Sequence, residues 1–218
     1  MVIELLVLPN IYILRKNVRG ANIYVIEEDE GITIVDCGFE GSDEGILDFI
    51  ESLGSSPEDI RYIILTHAHP DHVGSLPELI DVSDATIFIH ESDIPLLERF
   101  TMLKRDDISN LKPLRGGEVL EILEGLEVIH APGHTDGSIV LYNREKSFII
   151  TGDVLVTDKE GYVTFPKQEY TKDMDREIES VKNLAKLDFE ALLPGHGPPI
   201  TEDAKIKVLN LLKKYVEK

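Results

Sequence analysis

The chain has 218 residues, 42% of them hydrophobic, a net charge of −19 and a single cysteine. That length suits one domain over residues 1–218 with a sizeable core. The charge argues against a nucleic-acid partner, whose phosphates need clustered Lys and Arg, and against an anionic membrane surface. Lone Cys37 excludes an intramolecular disulfide.

Residues 3–8, 11–14, 22–26 and 32–35 read as strands, a hairpin-rich start separated by short polar turns. The N-terminus carries neither a basic region nor a small-residue cleavage site, and no apolar run reaches membrane-spanning length. A cytoplasmic protein is expected. Cys37 lies in the apolar run Ile34-Val35-Asp36-Cys37-Gly38 and reads as a small buried residue, since no partner base is visible. Ser42 or Asp43 caps a helix to about Leu53, with Ile46, Leu47, Phe49 and Ile50 as its stripe and Gly54 as its stop.

The strand at 61–65 runs into Thr66-His67-Ala68-His69-Pro70-Asp71-His72, which places four metal-ligand side chains within six residues. Side chains two apart on an extended segment point to one side, so His67 and His69 can grip one ion. Pro70 ends the extended run, and the turned chain aims Asp71 and His72 at a second point. Imidazole and carboxylate donors suit zinc or iron.

A helix over 74–80 and a strand over 86–90 follow, with solitary His90 read as structural. Residues 92–103 look helical and 104–112 polar, which suggests a flap or helical insertion. Residues 118–123 and 126–130 form a hairpin about Glu124-Gly125. Then Ala131-Pro132-Gly133-His134 turns the chain, with His134 at the turn. Strands at 138–142 and 148–150 lead to Thr151-Gly152-Asp153. A loop at 162–170 carries Tyr162, Phe165 and Tyr170, and an amphipathic helix covers 173–186. The strand at 191–193 enters Pro194-Gly195-His196-Gly197, and a closing helix covers 202–216. Thus His134, Asp153 and His196 each follow an apolar strand in a Gly-containing turn, and five of the seven histidines fall in these motifs.

His67-Ala68-His69-Pro70-Asp71-His72 resembles the H-x-H-x-D-H signature of the metallo-β-lactamase superfamily, and the resemblance runs from about Asn22 to His196. It implies an α/β fold, an αββα sandwich of two mixed β-sheets flanked by helices and built from two halves, with the ligands at one edge. It implies His67, His69 and His134 at one metal, Asp71, His72 and His196 at a second, and Asp153 bridging. All seven positions match. Two divalent ions follow, zinc first, with iron or manganese as alternatives. Asp71 and Asp153 would be the catalytic carboxylates, and Asp36, Thr66 and Thr135 would support the ligands.

Within the superfamily the donor set is similar to that of glyoxalase II. The expected function is metal-dependent hydrolysis of a small ester, thioester or lactone, using water activated by the ions. Glyoxalase II binds glutathione through a Cys/Gly/Arg-rich segment after its Gly-Asp. Thr157-Asp158-Lys159-Glu160-Gly161 stands there instead, which speaks against that carrier. Tyr162 and Phe165 are the expected substrate contacts. Two alternatives remain: a mononuclear-iron persulfide dioxygenase using His67, His134 and Asp153, and a metal-stabilised binding module whose closed site has no exchangeable water. A small molecule is the expected partner, and the sequence leaves oligomeric state open.

Overall fold

A computed structural model describes residues 4–14 and 20–216, so Ile3 of the expected first strand lies outside the described residues. The chain divides into two compact units, Met1–Leu114 and Arg115–Lys218.

In the first unit, strands β1 (Glu4–Leu8), β2 (Ile11–Leu14), β3 (Ile23–Glu28), β4 (Gly31–Val35), β5 (Ile60–Ile64), β6 (Thr86–His90) and β7 (Leu111–Leu114) form one sheet in chain order. The β1–β4 pairings are antiparallel and the β4–β7 pairings parallel. The connections dictate this change. Asp29-Glu30 between β3 and β4 is a tight turn, which reverses the chain. Between β4 and β5 runs helix α1 (Asp43–Ser52), a crossover long enough to bring the chain back parallel. Helices α2 (Pro70–Val73) and α3 (Leu76–Val82) separate β5 from β6, and α4 (Ile94–Thr101) separates β6 from β7. Ile32 to Val35 of β4 are all buried, as in a strand covered on both faces, with Thr33 the one polar residue of the run. Helix α1 buries Ile46, Phe49 and Ile50, the three-and-four spacing expected of its stripe.

The expected helix at 92–103 is split into a 3₁₀ turn, Glu91–Asp93, and α4. The expected flap contains a short 3₁₀ turn, Arg105–Asp107, and then β7. Leu111-Lys112-Pro113-Leu114 shows no clear strand pattern because β7 is an edge strand, where a proline and exposed polar side chains are tolerated.

In the second unit, β8 (Val119–Leu120), β9 (Leu126–His130), β10 (Ile139–Asn143), β11 (Phe148–Gly152) and β14 (Ala191–Pro194) form a sheet in the order β14-β11-β10-β9-β8. Neighbours are antiparallel except β11 and β14, which are parallel. The 162–170 loop is more regular than expected. β12 (Val156–Thr157) pairs with β13 (Val163–Thr164), and a 3₁₀ turn spans Gln168–Tyr170. Helices α5 (Met174–Leu184) and α6 (Ala204–Val216) supply Val181, Leu184 and Val208 to a core with Val140, Tyr142, Ile149 and Leu192. Asp173 caps α5, its side chain accepting from Arg176 N at 3.0 Å.

Cys37 is fully buried, and burial, with the Asp36 charge beside it, pushes its thiol well above the usual range. The thiolate is the reactive form. A thiol-specific disulfide reagent at pH 8 is therefore expected to label no cysteine in the native chain and one after denaturation; prompt native labelling would contradict this placement.

Candidate metal centre

The first unit presents its donors directly after β5. Pro70 opens α2 at the first helical position, where its missing N–H costs nothing, and His69 is the extended residue before it. His72 N then donates to His69 O at 2.9 Å, closing the turn that redirects Asp71 and His72. His67 Nε2 lies 3.1 Å from His69 Nδ1, and the rings of His67 and His72 are 4.0 Å apart between centroids. His67 and His72 are buried, whereas His69 and Asp71 are partly exposed.

Asp36 stands behind this cluster. It adopts φ 62° where β4 ends. Its Oδ1 accepts from Thr66 N at 2.8 Å, and its Oδ2 accepts from Thr66 Oγ1 at 2.8 Å and lies 2.8 Å from His72 Nδ1. A carboxylate on Nδ1 fixes the tautomer and leaves Nε2 as the donor nitrogen, the usual outer partner of a metal-binding histidine. Thr66 Oγ1 is also 3.2 Å from His67 Nδ1. Asp36 thus contacts His72, and Thr66 contacts His67, two of the expected ligands. His90 Nδ1 accepts from Ser92 N at 3.2 Å and caps the next turn.

In the second unit, strand direction gathers the donors. β9 and β11 are each antiparallel to β10, and β14 is parallel to β11, so all three run the same way. Their C-terminal ends therefore lie along one edge of the sheet, the place where α/β sheets build sites. His134 follows β9, Asp153 follows β11 and His196 follows β14. Asp153 Oδ2 lies 3.5 Å from His134 Nε2 and 3.4 Å from His196 Nε2.

These separations test whether the donors fit an ion. Ligand atoms about 2.0–2.1 Å from a tetrahedral metal stand about 3.3 Å from one another. The contacts of 3.1 Å in the first unit and of 3.4 and 3.5 Å in the second match that edge. Each cluster consists of imidazole and carboxylate donors, the chemistry of a divalent-metal site.

Three supporting residues were missed in the sequence. Asp93 Oδ2 accepts from Ala68 N at 3.0 Å, Glu177 Oε2 accepts from His134 N at 2.5 Å, and Thr171 Oγ1 is 3.4 Å from His134 Nδ1. Burial pushes the Glu177 carboxyl up to about 8; the His134 amide pulls the other way, and the charge of Asp153 adds to the rise. The legible signal was position: Glu177 shares a helical face with buried Val181 and Leu184. Thr135, expected beside a ligand, bonds Ser138 through both its N and Oγ1. Of the two expected substrate contacts, Tyr162 is exposed, whereas the ring of Phe165 packs on Tyr215 of α6, with centroids 5.0 Å apart.

The chain belongs to the metallo-beta-lactamase superfamily, which matches residues 17–196. It is 28% identical to the probable metallo-hydrolase YflN of Bacillus subtilis over 84% of this chain and 83% of that protein. It is 31% identical to the hydroxyacylglutathione hydrolase GloC of Haemophilus influenzae over 86% of this chain and 91% of that protein. The crystal structure of a metallo-beta-lactamase family protein from Thermus thermophilus is similar with a TM-score of 0.75 at 23% identity, over 96% of this chain and 80% of that one. That likeness shows the fold and bears out the expected class.

Asp36→Asn keeps the side-chain shape but turns one acceptor into a donor facing Thr66 and His72. Zinc affinity, measured by chelator competition, is expected to fall about 10–100-fold, the usual effect of losing an outer partner of a ligand. Unchanged affinity would mean that Asp36 only holds the turn.

Proposed function

We propose that the chain holds two divalent ions, zinc first, with iron or manganese as alternatives. His67, His69 and His134 would hold one ion, Asp71, His72 and His196 the other, and Asp153 would be shared. The observation that carries this reading is Asp153, whose single oxygen Oδ2 faces both His134 and His196 at ligand-edge spacing. Ions held there would lower the pKa of a water towards neutrality and polarise a substrate carbonyl.

The reaction we propose is hydrolysis of a small ester, thioester or lactone. Water oxygen bonds to the acyl carbon, the acyl–oxygen or acyl–sulfur bond breaks, and the proton passes to the leaving group. The carboxylate of Asp71, partly exposed at the start of α2, orients the water and carries that proton. Membership of a metallo-hydrolase superfamily and the likeness to a hydroxyacylglutathione hydrolase support this chemistry. Buried Cys37 offers no competing nucleophile.

Glutathione is not the carrier in this reading. The polar groups of the segment after Asp153 are engaged within the protein: Thr157 Oγ1 donates to Pro198 O in the turn after β14 at 2.7 Å, and Asp158 Oδ1 accepts from Glu160 N at 3.0 Å and Tyr162 N at 2.8 Å. Exposed Tyr162 is left to touch the substrate body. The −19 charge repels polyanions, so a small molecule and not a nucleic acid is the partner. No helix among the described residues is long and apolar enough to cross a membrane.

Turnover is expected to rise with pH to a plateau near neutrality, and metal to be released in acid as the histidines protonate. Asp71→Ala should lower kcat about 10²–10⁴-fold, whereas Tyr162→Ala should mainly raise KM. Asp153→Asn should weaken metal binding more than His90→Ala. The deciding trial is a panel of esters, thioesters, lactones and persulfides offered to zinc- and iron-loaded protein. Oxygen uptake with a persulfide by the iron form, with no hydrolysis by the zinc form, would replace this reading with the dioxygenase.

A further inference from the structure

We infer that Asp93 and Glu177 are positioning residues: each is a buried carboxyl group that takes a backbone N–H inside a donor-bearing turn and thereby fixes where the imidazoles of that turn stand. The inference rests on the proposed roles of His67, His69 and His134 as metal ligands.

An ionisable side chain is costly to bury, and a structure keeps it only where strong hydrogen bonds compensate. Asp93 is 1% exposed and Glu177 0%. Asp93 occupies the N-cap of α4, where an Asp ordinarily bonds the amides of its own first turn. It makes no such bond. Its side chain reaches 25 residues back to Ala68 N. Ala68 separates His67 from His69, so its peptide plane sets the direction in which both rings leave the backbone after β5.

Glu177 performs the same task in the second unit, from the start of α5. The turn is built around it. Gly133 adopts φ +151°, and a Cβ there would stand 2.3 Å from Glu177 N and 2.4 Å from Glu177 Oε2. Only glycine lets α5 come this close. Ser180 Oγ donates to Pro132 O at 2.8 Å, Asp173 N donates to Gly133 O at 2.9 Å and Lys172 N donates to His134 O at 3.1 Å, so the helix and its approach hold each residue of the turn from 132 to 134. Glu177 is the contact that takes the amide of His134 itself.

The test uses the full chain, loaded with zinc for affinity and with cobalt(II) for its ligand-field spectrum. Glu177→Ala removes the acceptor, and Glu177→Gln keeps an oxygen in its place. Glu177→Ala is expected to weaken zinc about 10–100-fold in chelator competition and to alter the cobalt spectrum, with Glu177→Gln restoring most of both. Asp93→Ala and Asp93→Asn should behave as the corresponding pair. If Glu177→Ala fails to fold, Glu177→Asp replaces it, because the shorter side chain withdraws the acceptor. His134→Ala separates the two levels of the argument. Wild-type metal binding by His134→Ala overturns the ligand assignment. Loss of metal in His134→Ala with wild-type affinity and spectrum in Glu177→Ala overturns the positioning role. A weaker Glu177→Ala whose cobalt spectrum is unchanged and which Gln does not rescue also overturns it, since that is the behaviour of a group that only stabilises the fold.

Discussion

A histidine offers one ring nitrogen to an ion in a defined direction only when the other nitrogen is held, and in the first unit that constraint is met by Asp36. Its two oxygens are divided between the Thr66 backbone, the Thr66 hydroxyl and His72 Nδ1. Because β4 and β5 are parallel neighbours, the end of β4 lies beside the end of β5, and one carboxylate can reach across. The left-handed backbone of Asp36 aims it there. An Asp is among the few residues with a side chain that tolerates this conformation. The strand pairing, the strained residue and the histidine tautomer are therefore one arrangement.

The second unit reaches a comparable result through strand direction. A strand presents its following turn at only one edge of its sheet, so donors from β9, β11 and β14 can meet only because an antiparallel and a parallel step return the chain to the same edge. β10, running the other way, begins at that edge and supports the His134 turn: Ala131 N donates to Ser138 O, and the Ser138 hydroxyl accepts from Thr135 N. Direction places the turns, and the contacts of α5 then fix the backbone of one of them.

Acidic side chains thus serve two purposes in this chain. Most of its 41 Asp and Glu residues contribute to a charge that keeps polyanions at a distance. A few are buried behind or among the histidines: Asp36 and Asp93 in the first unit, Asp153 and Glu177 in the second. Buried carboxyl groups of this kind are stable only with hydrogen-bond partners at hand, which is why backbone amides and imidazoles surround them.

The sequence by itself determined what is local. Four ligand-type residues within six positions after an apolar strand, Pro70 as the start of a turn, and the strand-into-turn setting of His134, Asp153 and His196 all followed from spacing and residue type. So did most strands, because their apolar runs are unbroken. Edge strand β7 was hidden, because an edge position relaxes the pattern that makes a strand recognisable. Asp93, Thr171 and Glu177 were hidden for a different reason. Asp93 looks like an ordinary helix cap, the apolar face that Glu177 shares does not name its partner, and no sequence spacing announces a bond that spans 25 or 43 residues. Only the tertiary structure decides where a long-range carboxylate ends, because that depends on how closely a helix approaches a turn, and here the approach is set by the absence of a side chain on Gly133.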